Sequence, residues 1–75
     1  MSKTKQKRVE QNLCNSCEDE YINDCKLTQI VKTDTGYYIE ADVIFKIGID
    51  NYDYGWLSAL INKDLSVKEI IDMGY

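Results

Sequence analysis

The sequence contains neither histidine nor proline, and the missing histidine restricts its chemistry. General acid–base catalysis would have to use carboxylates, lysine or tyrosine, and no serine motif, phosphate-binding loop or catalytic carboxylate pair stands out among the charged residues. A chain of 75 residues also offers little room for a pocket that excludes water. We therefore expect a protein that is not an enzyme.

Long apolar runs are absent as well. No stretch approaches the roughly 18 apolar residues of a membrane span, and the basic start is followed by polar residues instead of an apolar signal segment. Three cysteines cannot all pair within one chain, which argues against a secreted disulfide framework. Abundant Ile, Lys, Asn, Asp and Tyr are typical of AT-rich bacterial or phage coding sequences. We expect a protein of the bacterial cytoplasm.

Basic residues are scarce outside the first eight positions. The chain holds 9 basic and 13 acidic residues, for a net charge of −4. Four of the basic residues precede residue 9, so residues 9–75 have 5 basic against 13 acidic residues and carry −8. We predict a flexible basic tail over 1–8 and a single small α+β domain over 9–75. Such an acidic body disfavours nucleic acid and suits a basic protein surface, although solubility alone is an alternative explanation.

Residues 37–47 fall into two sets that alternate along the chain, and the outward set is Tyr38, Glu40, Asp42, Ile44 and Lys46. The other set is apolar and predicts the core face of a strand: Tyr37, Ile39, Ala41, Val43, Phe45 and Ile47. Residues 26–33 are predicted to pair with it. The turn sequence 33–36 fits a bulged three-residue loop, which would place Thr33 opposite Tyr37 and Cys25 opposite Phe45.

Two helices are predicted after this hairpin. Asp53 can cap the first, whose apolar face would hold Trp56, Leu57, Leu60 and Ile61. Ser66 and Glu69 form a capping box for the second, with Leu65 and Ile70 as a hydrophobic staple and Gly74 at its end. The predicted fold is α+β: a long antiparallel β-hairpin (about 26–33 and 37–47) with two short C-terminal helices packed on one face. A third strand or a short helix near the N-terminus would complete it, with the helix predicted at Glu18–Asn23.

The cysteines are the one cluster with specific chemistry. Cys14 and Cys17 are separated by two residues, and Cys25 follows at the start of the hairpin. Three thiolates could bind zinc, but a fourth ligand would have to come from a carboxylate or a second subunit. Buried thiols without metal are the preferred interpretation, and a redox pair is a third option. We expect no cofactor, with zinc as the alternative.

Aromatic residues lie beside carboxylates near the hairpin, a combination typical of protein-binding surfaces. The predicted partner-binding residues are Tyr38, Glu40, Asp42, Asp50, Tyr52, Asp53 and Tyr54. We expect a small acidic module that inhibits or regulates a partner with a basic, nucleic-acid-binding surface, such as a phage-encoded inhibitor of a host defence nuclease. The alternative is a zinc-stabilised accessory protein that touches nucleic acid through its basic tail. A homodimer through a hairpin edge is a further option.

Overall fold

The computed structural model describes residues 1–16 and 22–74. Helix α1 (Lys3–Ser16) precedes four strands: β1 (Ile22–Thr33), β2 (Gly36–Lys46), β3 (Tyr52–Asn62) and β4 (Val67–Gly74). The strands form one antiparallel sheet in the order of the chain. The predicted fold of a hairpin with two C-terminal helices is therefore wrong, because the residues assigned to those helices form β3 and β4.

Strand β2 forms the centre of the core, as its alternating sequence predicts. From Ile39 to Phe45 its inward side chains are at most 1% exposed, and β3 adds a matching inward set directly opposite. At the two ends of the predicted apolar set, Tyr37 is half-buried and Ile47, beyond the strand, is 59% exposed. Helix α1 covers this side of the sheet with Val9 and Leu13, both fully buried. We call this side the covered face. Its buried residues on the two central strands are Ile39, Ala41, Val43, Phe45, Leu57, Ala59 and Ile61.

Strands β1 and β2 pair in a different register from the predicted one. Thr33 lies opposite Gly36 instead of Tyr37, so the connecting loop has two residues, not three. Gly36 has a φ of 157° and a Cβ there would lie 1.9 Å from the carbonyl oxygen of Ile61, which explains why glycine occupies this position. Near the turn, Ile30 lies inward opposite Ile39, whereas the predicted register would place Val31 at that position. A bulge at Thr28 then shifts the strand by one residue.

Strand β3 was predicted as a helix because it is apolar on both faces. Leu57 and Ile61 point into the core, whereas Trp56 and Leu60 lie on the opposite side of the sheet. The two sets together imitate the spacing of a helical stripe. Strand β3 is a central strand that pairs with β2 along its whole length, so its backbone groups are hydrogen-bonded within the sheet. This pairing outweighs the local helix signals.

Strand β4 also imitates a helix, for a different reason. Its covered-face residues Val67, Ile70 and Met73 recur every three positions because bulges near Lys68 and Ile71 each add one residue. The predicted capping box closes a turn instead. Leu65 adopts a left-handed backbone with φ 74°, and the Asn62 amide donates a hydrogen bond to the Ser66 carbonyl.

Helix α1 begins within the segment assigned to a flexible tail. The Ser2 hydroxyl accepts a hydrogen bond from the Lys5 amide at 3.2 Å, the geometry of an N-cap. Residues 3–8 therefore lie in α1. Of the short helix predicted at 18–23, residues 18–21 lie outside the described residues, whereas Ile22 and Asn23 begin β1. No helix within residues 1–16 and 22–74 is long and apolar enough to cross a membrane.

Candidate protein-binding face

The side of the sheet opposite α1 carries the residues that alternate with the core, and we call it the open face. In an antiparallel sheet, directly paired residues project from the same side. The register therefore joins the open-face residues of β2 and β3 in six pairs: Gly36 with Asn62, Tyr38 with Leu60, Glu40 with Ser58, Asp42 with Trp56, Ile44 with Tyr54, and Lys46 with Tyr52.

Aromatic side chains line one strand of this face. Tyr52, Tyr54 and Trp56 are 47%, 75% and 44% exposed, whereas their neighbour Leu57 on the covered face is fully buried. Ile44 and Leu60 are partly exposed beside them. Soluble proteins usually expose large apolar groups singly, and contiguous apolar patches mark interaction sites. The aromatic row of β3 is therefore the leading candidate for a functional surface.

Acidic residues surround this row. Asp24 pairs with Ile44 from β1, and Glu69 and Asp72 pair with Leu60 and Ser58 from β4. Among the directly paired residues, the charged positions of the open face are Asp24, Glu40, Asp42, Glu69 and Asp72 against Lys26 and Lys46, five acidic and two basic, giving −3. The face thus combines an apolar centre with an acidic rim, the composition of a polar-rimmed interface.

A groove of about 470 Å³ lies at one end of the open face. The open-face side chains at the groove come from three strands: Asp24, Lys26, Asp42, Ile44, Tyr54 and Trp56. The indole of Trp56 lies against the backbone of β4, because a Cβ on Gly74 would come within 2.7 Å of its Cε2 atom. This contact fixes the position of the tryptophan beside the groove.

The structure brings five of the seven predicted binding residues to the open face: Tyr38, Glu40, Asp42, Tyr52 and Tyr54. The other two lie elsewhere. Asp53 is opposite Phe45 and belongs to the covered face, although it is exposed at the end of the strand. Asp50 lies in the loop between β2 and β3.

The period of two in β2 predicts Ile44 on the outward side, as the structure has it, whereas Trp56 and Leu60 were missed as surface residues. Trp56 and Leu60 were assigned to the core because an apolar residue in a presumed helix was counted toward its buried face. A signal was available, since Trp56, Ser58 and Leu60 alternate with Leu57, Ala59 and Ile61. A strand interpretation of residues 52–62 would have separated the two sets.

The cysteine cluster is only partly described. Cys14 is half-buried in α1, Cys25 is buried in β1 opposite Val43, and Cys17 lies outside the described residues. Within the described parts of the chain, no three His, Cys, Asp or Glu residues come together as a metal site. Zinc binding by Cys14, Cys17 and Cys25 stays a prediction.

Unlike the open face, both edges of the sheet have features that protect them against contact with another chain. Each edge strand contains two bulges, and the Leu27 amide of β1 donates a 2.9 Å hydrogen bond to the Glu10 carboxylate. Bulges and occupied amides hinder pairing with another strand. We therefore place the candidate interface on the open face, ahead of a homodimer through an edge.

Comparison of the chain with protein-family models, curated proteins and solved structures gave no match. The residues of the open face therefore carry the functional argument.

Proposed function

We propose that this protein is a small non-enzymatic binding module whose open face docks on the basic surface of a partner protein and so inhibits or regulates it. The observation that carries the proposal is the exposed row of Tyr52, Tyr54 and Trp56 at the centre of an acidic face. These residues have no packing role in the covered core, yet the strand keeps them at three successive outward positions.

Aromatic side chains are suited to this task because they bring large contact areas with few rotatable bonds. Tryptophan and tyrosine are enriched among the residues that dominate binding energy at protein interfaces. The half-buried Ile44 and Leu60 extend the apolar area around them. A partner that covers this centre would gain most of its affinity from apolar burial, which salt does not remove.

The acidic rim selects the kind of partner. Asp24, Asp42 and Asp72 would face basic groups across the interface and speed the encounter. A surface rich in lysine and arginine is typical of proteins that bind nucleic acid, so the carboxylates would occupy positions otherwise taken by phosphates. A phage-encoded inhibitor of a host defence nuclease, acting in the bacterial cytoplasm, agrees with this chemistry and with the AT-rich composition.

Two charge reversals test the docking face. The partner is first captured from the host lysate, and its association rate is measured with the parent chain, with Asp42→Lys and with Asp53→Lys. Asp42 lies on the open face and Asp53 on the covered face, while both are exposed on strands and both substitutions change the net charge equally. We expect Asp42→Lys to weaken binding about tenfold, mainly through slower association, and Asp53→Lys to stay close to the parent.

Salt dependence completes the test. Association should slow as salt rises from about 50 to 500 mM, because exposed charges are screened beyond the Debye length. Equal effects of the two reversals would show that net charge, not the open face, governs binding. An unchanged affinity in both variants would exclude the open face as the docking surface.

A further inference from the structure

We infer that the groove on the open face is a subsite for an arginine side chain of the partner protein. The inference rests on the proposed function, since it assigns one group of the basic partner to one place on the docking face. The carrying observation is that the groove brings two aromatic rings and two carboxylates together at one end of an otherwise flat sheet.

The strand register arranges the groove as two rows across three strands. One row consists of Asp24, Ile44 and Tyr54, and the other of Lys26, Asp42 and Trp56. Neighbouring strands are about 4.8 Å apart, and alternate residues along a strand are separated by about 7 Å. An extended side chain that enters between the rows would therefore reach an aromatic ring and a carboxylate at once.

The direct pairing of Asp42 with Trp56 favours a planar cation. A guanidinium group can stack on an indole face and still donate in-plane N–H groups to a carboxylate at its edge. Tyr54 offers a second ring, and Ile44 an apolar surface for the methylene stem. Lysine could use the carboxylate but has no planar group to stack, so the site should prefer arginine.

The groove already contains a competitor for the incoming cation. Lys26 pairs with Asp42 from the edge strand β1, and its side chain is exposed. Removing this ammonium group would make the groove more negative around Asp42 and so favour the partner's guanidinium. The structure therefore assigns opposite roles to two neighbours, with Asp42 promoting arginine binding and Lys26 opposing it.

Trp56 is the only tryptophan in the chain, so its fluorescence reports directly on the groove. The probes are three blocked hexapeptides, made of arginine, lysine or uncharged citrulline, titrated into the full chain at low salt. We expect the arginine peptide to shift the Trp56 emission with an affinity about three- to fivefold above that of the lysine peptide. The citrulline peptide should leave the emission unchanged.

Four substitutions with matched charge changes locate the effect. Asp42→Asn should lower the affinity for the arginine peptide about fivefold or more, whereas Asp53→Asn, on the covered face, should change it less than twofold. Lys26→Met should raise the affinity, and Lys46→Met, on the open face but outside the groove, should raise it less. Circular dichroism checks that each variant is folded.

Three results would overturn the subsite: equal affinity for the two cationic peptides, equal effects of Asp42→Asn and Asp53→Asn, or no gain in Lys26→Met over Lys46→Met. Each would show attraction to overall acidity, and the docking face itself would still be tested by the partner's response to Asp42→Lys against Asp53→Lys. Conversely, arginine selectivity together with a partner indifferent to Asp42→Lys would support the subsite and overturn only the proposed docking mode.

Discussion

The covered and open faces of β2 and β3 are built from alternate residues of the same two strands, yet their side chains differ in burial. On the covered face, Ile39, Phe45 and Leu57 are at most 1% exposed and hold the domain together. On the open face, Tyr54 and Trp56 keep large aromatic surfaces in water. The difference teaches that the parity of an apolar residue in these two strands decides whether it is buried in the core or lies on the open face.

Phe45→Ala tests the covered face and should have the largest effect. The ring is 1% exposed and lies against Gly55, where a Cβ would come within 2.7 Å of its Cε2 atom. Removing it should lower the free energy of unfolding by about 3–5 kcal/mol, enough to unfold so small a domain. The control is Tyr54→Ala on the open face, which should cost less than about 1 kcal/mol while weakening partner binding. Urea denaturation measures the free energy of unfolding of the two variants. Equal midpoints would contradict the assignment of Phe45 to the core and Tyr54 to the surface.

A pair of glycine substitutions tests how closely the backbones of β2 and β3 approach each other beside the β1–β2 turn. Gly36→Ala would place a methyl group 1.9 Å from the Ile61 carbonyl oxygen, whereas at Gly48 the nearest atom is 3.5 Å away. We expect Gly36→Ala to destabilise the fold by more than about 1 kcal/mol, and Gly48→Ala to be nearly neutral. Similar melting temperatures for the two variants would mean that the turn can adopt another geometry.

The attachment of α1 to the covered face can be weakened without touching the core. Glu10 accepts the Leu27 amide hydrogen bond at 2.9 Å, while its neighbour Gln11 is exposed. Glu10→Ala should cost about 1 kcal/mol and speed amide exchange at Leu27, and Gln11→Ala should do neither. Unchanged exchange at Leu27 in Glu10→Ala would indicate that the helix does not protect this edge.

The smallest effect is expected away from both faces, in the β3–β4 turn. Hydrogen bonds from the Ser66 hydroxyl and amide to the Asp64 carboxylate lower the pKa of Asp64 below its usual value. Because these bonds favour the charged carboxylate, their contribution is present above the unfolded-state pKa and is lost as pH falls through the lower folded-state pKa. An NMR titration should show this low pKa in the parent chain and a return toward the ordinary value in Ser66→Ala. An identical pKa in both chains would remove Ser66 as the cause.

The sequence was most informative where the strand is regular. Strand β2 has no bulge, and its apolar residues occupy only alternate positions along most of its length, so its pattern identifies both the strand and its core face. Edge strands β1 and β4 defeat the same analysis, because each of their bulges adds a residue and interrupts the period of two. In β4 the result is a spacing of three, which indicates a helix to any method that relies on periodicity.

Part of the candidate site could be predicted from residue types alone, and the rest required the correct secondary structure. Polar and aromatic residues such as Glu40, Asp42 and Tyr54 are expected at a surface in either type of element. Trp56 could be placed only by knowing that β3 is a strand, which follows from its long-range pairing with β2. Helix α1 escaped prediction because its buried stripe consists of Val9 and Leu13 alone, within an otherwise polar, basic segment.

Helix α1 and the β3–β4 turn are far apart in the sequence but in contact in the fold, which bears on the order of folding. The Asn12 side-chain amide donates a 2.8 Å hydrogen bond to the Leu65 carbonyl, 53 positions later, and Val9 and Leu13 belong to the same buried cluster as Leu65. A 14-residue helix is marginal by itself in water, and contacts so distant in sequence form slowly. Helix α1 can therefore pack on β1, the next strand along the chain, before it reaches Leu65. The Val9–Leu13 stripe is covered completely only once the turn before β4 is in place as well.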